Sequence, residues 1–205
     1  MKLYFSPGAC SMAPHIAARE AGIQLDLIKV NLMTHKLDSG ENYKEINPRG
    51  YVPLLELDDG SRHTEAAALL QYIGDLDATH TLLPAAGTRQ RFEVIQWLTF
   101  ISTELHKVFS PWLWHKETAE STKQACKEKL ATRFAELDKR LATRNYLATD
   151  NFTVADAYCF TIVNWCNFLD ISLNPYPALS AYMQRIANRP KVQEVLATEG
   201  LKKHR

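Results

Sequence analysis

The sequence predicts an α/β half followed by an all-α half: a small mixed sheet with helices packed on it, a short linker, and a helical domain. Three observations predict this. Over the first eighty residues, apolar strand-like runs and helical patterns follow one another as β-α-β, a loop, then β-β-α. Strand signals stop after Leu82-Leu83-Pro84-Ala85-Ala86-Gly87. From residue 88 to 143 helical periodicity runs with no Gly and a single Pro, Pro111. The expected units are residues 1–80, a linker at 81–87, and a helical domain over 88–205.

Each element has a local reason. Residues 2–5 read as a short buried strand that Pro7-Gly8 breaks, and Ser11 is placed to cap a helix over 11–21 with Ile16, Ala17 and Ala21 on one face. Pro14 is tolerated there because first-turn amides have no helical partner. Residues 25–30 (LDLIKV) form the second strand, and a strand-helix-strand crossover implies a parallel pair. Residues 33–45 read as a polar loop with little helical pattern. PLLEL, the turn Asp58-Asp59-Gly60 and Ser61-Arg62-His63 make an antiparallel hairpin. Thr64 is the expected cap of a helix whose apolar face is Ala68, Leu69, Tyr72, Ile73 and Leu76. In the second half one helix is expected over 93–109. Thr153 and Asp156 then form a capping-box variant before a helix apolar on nearly every side, which predicts a buried spine. Pro175, Pro177 and Pro190 separate the last helices.

The bulk numbers exclude several classes. With 46% hydrophobic and 23% charged residues, the composition is that of a soluble globular protein. A net charge of +1 argues against nucleic acid or an anionic membrane as partner. No apolar run approaches the ~20 residues that span a bilayer. Pro7 and Gly8 fall where a secretory signal would continue its apolar stretch. The four cysteines, Cys10, Cys126, Cys159 and Cys166, have no CxxC or metal-finger spacing. These features together predict a cytoplasmic protein with reduced thiols.

Five stretches look chemical. Cys10 falls just outside a helix N-terminus, where amides and the helix dipole lower a thiol pKa or hold another molecule's thiolate; a small apolar residue filling a turn is equally consistent. Val52-Pro53 enters a strand; a cis bond would turn the Val52 amide and carbonyl outward toward an extended peptide, but the residues alone favour a trans edge-strand Pro. Glu65 and Ala66 open a helix with free amides beside a carboxylate, a pairing suited to an α-amino acid. Thr99, Thr103 and His106 share one helical stripe, and His106 is a candidate donor to a thiolate if that stripe faces the first domain. Phe109, Trp112 and Trp114 crowd around Pro111, as core, as dimer contacts or as a wall for a hydrophobic electrophile. The remaining histidines, His15, His35, His63, His80, His115 and His204, have no metal-ligand pairing, and there is no phosphate loop.

In this order, SPGACSMAPHIAARE, INPRGYVPLLELDDG, the TE of HTEAAALLQYI, QWLTFISTELHKVFSP, FTVADAYCF and the terminal EGLK resemble the glutathione transferases, most closely the bacterial beta class. The resemblance covers almost the whole chain, and SPGACS with ELHK is specific to the class. It implies a thioredoxin-like N-terminal domain, an all-helical C-terminal domain and a homodimer. It implies glutathione as co-substrate, with no other cofactor and no metal. Val52 would pair its backbone with the cysteinyl unit before a cis Pro53, and Glu65 with the Ala66 amide would hold the γ-glutamyl end. Cys10 and His106 would lie at the glutathione sulfur, with further contacts from Thr99, Thr103 and Glu104. The class usually has Lys at the place of His35 and often Asn at that of Thr99. The glycine carboxylate therefore falls to His35 or to neighbouring Lys36.

Three functions compete. The first is conjugation of bound glutathione thiolate to a hydrophobic electrophile, a detoxifying transferase. The second is thiol-disulfide or peroxide chemistry through a Cys10-glutathione mixed disulfide; Ala13 at the fourth position of a would-be CxxC leaves only a monothiol route. The third is a non-catalytic binding module, against which the intact set of Cys10, Glu65 and His106 argues.

Overall fold

A computed structural model describes residues 1–201. Lys202 of the EGLK match and His204 lie outside the described residues. The elements of the first half are β1 (Lys2–Phe5), α1 (Met12–Glu20), β2 (Asp26–Asn31), β3 (Lys36–Leu37), α2 (Tyr43–Ile46), β4 (Leu54–Glu56), β5 (Arg62–His63) and α3 (Ala66–Asp75). The strands form one sheet in the order β3-β2-β1-β4-β5. β1 and β2 are parallel, as the crossover through α1 requires, and the other pairs are antiparallel. β3 falls inside the stretch expected to be loop: a two-residue strand pairing Val30 with Leu37 carries no periodicity to read.

The second half contains α4 (Arg89–Phe100), a π-helical turn (Ile101–His106), α5 (Lys107–Phe109), α6 (Glu120–Leu141), α7 (Val154–Val163), a 3₁₀ turn (Asn164–Phe168), α8 (Pro177–Ala187) and α9 (Pro190–Thr198). The expected single helix over 93–109 thus begins earlier and is interrupted by the wider π turn. α7 is buried along its whole length, and the Asp156 carboxylate accepts from the Thr153 amide and hydroxyl, both at 2.9 Å. Pro177 and Pro190 occupy first-turn positions of α8 and α9. This is a thioredoxin-like sheet domain followed by a helical domain.

The halves share one core. Met12, Ala13 and Ile16 of α1 and Leu70 and Ile73 of α3 pack in the same cluster as Leu98, Phe160 and Val195. Gly74 lets α3 approach this close: a Cβ there would meet Leu83 at 2.7 Å. Two expected details differ. The start of α3 is Ala66 with Glu65 at the cap position, so Thr64 is not the cap. Its buried face is Ala66, Leu69, Leu70 and Ile73, while Ala68, Tyr72 and Leu76 face outward. Among the described residues, no helix is long and apolar enough to cross a membrane.

Candidate active site

The chain leaves β1 and turns through residues 6–10 into α1. Ser11 does not cap the helix. Its Oγ accepts from the Ser6 amide at 3.1 Å and donates to the Ser6 carbonyl at 3.3 Å, which staples the loop instead. The helical half grips the same loop from the other side. The Gly8 amide donates to Glu199 Oε2 at 2.9 Å, and Trp165 Nε1 donates to the Gly8 carbonyl at 2.8 Å. Glu199 also pairs with His15 Nδ1 at 2.8 Å, both side chains being buried. Gly8 has φ +72°, and a Cβ there would lie 3.3 Å from the Phe168 ring.

Cys10 therefore sits on a fixed turn. Its thiol donates to the Val52 carbonyl at 3.2 Å, and the Val52-Pro53 bond is cis, contrary to the trans bond that the residues alone favour. Burial raises the thiol pKa to about 12, against the opposing pull of the Cys10 and Ser11 amides and of Lys107. Of the alternatives the helix start left open, a lowered Cys10 pKa is not the one found: the amides do favour the thiolate, but loss of water around the sulfur outweighs them. Cys10 is a protonated hydrogen-bond donor.

Glu65, at the start of α3, has φ +72°, a conformation that L side chains seldom adopt. Its carboxylate accepts from Tyr51 OH at 2.9 Å and Arg49 Nη1 at 3.2 Å, and Arg49 also donates to Tyr51 at 2.8 Å. Ala66 is nearly buried beside it. His35, at φ +52°, lies against the same loop with Nδ1 3.0 Å from the Gly50 carbonyl. Cys10 and Glu65 are close enough for the Glu65 charge to raise the Cys10 pKa. The cis peptide, the thiol and the carboxylate thus border one region.

From the helical half, His106 Nδ1 meets Tyr158 OH at 2.7 Å, and the imidazole packs edge-on against Trp165 with centroids 5.1 Å apart. Burial and then Lys107 lower the His106 pKa to about 4, so the ring is neutral. Tyr158 is pushed above the usual tyrosine range, first by burial and then by the neighbouring Cys10, which ties His106 and Cys10 to one neighbourhood. Thr99 lies on α4, whereas Thr103 and His106 lie on the π turn that follows it, so the three do not share one regular α-helix. Thr99 and Thr103 are exposed, and their hydroxyls donate to Ile95 and Thr99 carbonyls, both at 3.0 Å. The Glu104 carboxylate is held by Arg133 at 2.6 Å and Lys129 at 3.3 Å.

Phe109 is fully buried between Phe134 and Trp165 and offers no surface to a ligand, which corrects its expected place in a substrate wall. Trp112 and Trp114 are about half exposed, at 48% and 42%, as is Phe168 at 47%. Trp114 touches both Trp165 and Phe168, so exposed aromatic surface continues outward from the Trp165 ring beside His106. Sequence reasoning missed Arg49, Tyr51, Tyr158, Trp165 and Phe168. For Tyr158 a signal existed: a phenol inside a wholly buried helix needs a hydrogen-bond partner. Among the described residues, no group of three or more His, Cys, Asp or Glu is arranged to hold a metal ion.

Comparison with known proteins matches both halves. The family described as Glutathione S-transferase, N-terminal domain, matches residues 8–76, and Glutathione S-transferase, C-terminal domain, matches residues 100–190. Glutathione S-transferase GstA of Escherichia coli O157:H7 is 40% identical over 202 residues, covering 98% of this chain and 100% of that protein. Glutathione S-transferase GST-4.5 of Xanthomonas campestris is 37% identical, with 98% and 100% covered. Among solved structures, a ternary complex of BphK, a bacterial transferase, superposes with TM-score 0.94 at 45% identity, covering 98% of this chain and 100% of that one. A sphingomonad glutathione S-transferase complexed with glutathione gives TM-score 0.93 at 42% identity, with the same coverage.

Proposed function

The chain belongs to the glutathione S-transferase family and is a glutathione transferase, and from that premise we propose how it acts. Glutathione lies along the cis Val52-Pro53 edge, its cysteinyl backbone on Val52 and its γ-glutamyl end at Glu65 and Ala66. The sulfur meets Cys10 and His106. His35 or Lys36 receives the glycine carboxylate, and Thr99, Thr103 and Glu104 lend outer contacts from the helical half. The glutathione-binding unit is residues 1–80, joined through 81–87 to a helical unit, 88–205, that carries the second-substrate site. The protein acts in the cytoplasm as a homodimer, with neither metal nor further cofactor.

The observation that carries this reading is the 3.2 Å contact of the Cys10 thiol with the Val52 carbonyl at the cis peptide. It supports a sulfur site at the end of a peptide-binding edge. A protonated Cys10 can donate to a bound thiolate, and with a pKa near 12 it is itself a poor nucleophile, which favours conjugation over a cycling Cys10. The half-exposed Trp112, Trp114 and Phe168 support a hydrophobic electrophile. For the dimer, Tyr72, Leu76 and Phe92 expose apolar surface on α3 and α4, which the Asp75–Arg91 ion pair joins at 2.6 Å.

Glutathione-dependent turnover of a chloronitrobenzene, followed in wild type and Cys10→Ala beside reduction of a small disulfide, tests the assignment. Conjugation should survive in part in Cys10→Ala. Disulfide reduction that Cys10→Ala abolishes, with no conjugation in wild type, would give the chemistry to a Cys10 mixed disulfide instead; equal loss of both activities would leave the two routes undistinguished.

A further inference from the structure

We propose that the Tyr158 hydroxyl sets the tautomer of His106, holding the imidazole proton on Nε2 so that this nitrogen donates to the bound sulfur and cannot accept a proton from it. The proposal rests on the reading that His106 serves the glutathione sulfur, and it makes Tyr158 a positioning residue that touches no substrate.

The geometry is specific. Tyr158 OH and His106 Nδ1 are 2.7 Å apart, with the rings nearly perpendicular at 88°. One of the two must donate. A phenol O–H is the stronger acid, and an unprotonated imidazole nitrogen is the stronger acceptor, so the phenol donates to Nδ1. Ser102, on the π turn, is a second polar neighbour of the phenol and pulls the Tyr158 pKa down against burial. With Nδ1 accepting, the single proton of a neutral imidazole sits on Nε2.

Other neighbours hold the ring in that state. Trp165 packs edge-on against the imidazole from the 3₁₀ turn after α7. Lys107, next in the chain, opposes a second proton, while Cys10 and Glu65 act on Tyr158 from the first half. Tyr158 is 1% exposed, so water does not compete for its hydroxyl. Without that hydroxyl, both neutral tautomers of His106 become accessible, and the Nδ1–H form leaves Nε2 as an acceptor facing a thiolate, which is repulsive.

Nitrogen NMR of imidazole-labelled wild-type protein at pH 7.5, with His106 assigned by the signal lost in His106→Gln, reads the tautomer directly. The expected result is a protonated Nε2 and a bare Nδ1 in wild type, shifting toward a mixture in Tyr158→Phe. A wild-type His106 carrying its proton on Nδ1 overturns the proposal whether or not the variant folds. In turnover, Tyr158→Phe should lower kcat/KM about tenfold with the KM for glutathione unchanged, and should have no further effect on top of His106→Gln. A similar drop in the His106→Gln background would also overturn it, because Tyr158 would then act by another route. A protonated Nε2 together with full activity of His106→Gln upholds the tautomer assignment and removes instead the role of His106 at the sulfur.

Discussion

His106 makes the stability of this protein depend on pH in a calculable way. Its folded-state pKa is lowered to about 4 by burial and by Lys107, whereas an unfolded histidine titrates near ~6.5. Between those values the unfolded chain binds a proton that the folded chain refuses, so stability falls as the pH drops through that window and is fully present above it. From pH 7.5 to pH 5.0 the loss from this one group is about 2 kcal/mol. Other groups titrate over the same range, so the contribution is isolated by difference. Urea unfolding of wild type and His106→Gln at both pH values, without glutathione, yields four free energies. The wild type should lose about 2 kcal/mol more than the variant on acidification. Equal losses would show that His106 titrates normally in the folded protein, and that the Tyr158 and Trp165 enclosure does not exclude its charge.

Two further outcomes concern Cys10 and Asp156. Because burial raises the Cys10 thiol to about 12, alkylation by iodoacetamide at pH 7.5 should be slower than that of a free-solution thiol by on the order of a thousandfold, read by peptide mass spectrometry. A rate at or above the free-thiol value would mean that the helix-start amides win over burial after all. Asp156 accepts from the Leu147 and Thr153 amides and from the Thr153 and Tyr182 hydroxyls, so Asp156→Ala should cost about 3–5 kcal/mol in urea unfolding, and a loss under ~1 kcal/mol would contradict that accounting.

The fold was legible where apolar runs are long or sharply bounded. The parallel pair of β1 and β2, the Asp-Gly hairpin and the buried α7 each follow from such runs. β3 was not legible, since two residues make no pattern, and neither was the π turn, because residues 101–106 lie within a stretch whose periodicity reads as one continuous helix. For the site, Cys10, Val52-Pro53 and Glu65 stood out by residue type and neighbours, but their electrostatics did not. Whether a helix start lowers a thiol depends on how much water reaches the sulfur, and that is set by residues far along the chain. Gly8 alone is held by Trp165 and Glu199, 157 and 191 positions away. Tyr158 and Trp165 were hidden for a related reason. In an apolar helix an aromatic reads as core, and its single polar atom becomes informative only once its partner is known.

Calorimetric titration with reduced glutathione, in wild type, Glu65→Ala and Cys10→Ala, tests most directly that the cis edge, Glu65 and the Cys10 neighbourhood form one glutathione site. Saturable one-to-one binding per chain is expected in wild type, with most of it lost in Glu65→Ala and an altered enthalpy in Cys10→Ala. Wild-type binding that both variants leave unchanged would place glutathione elsewhere on the molecule and contradict the account.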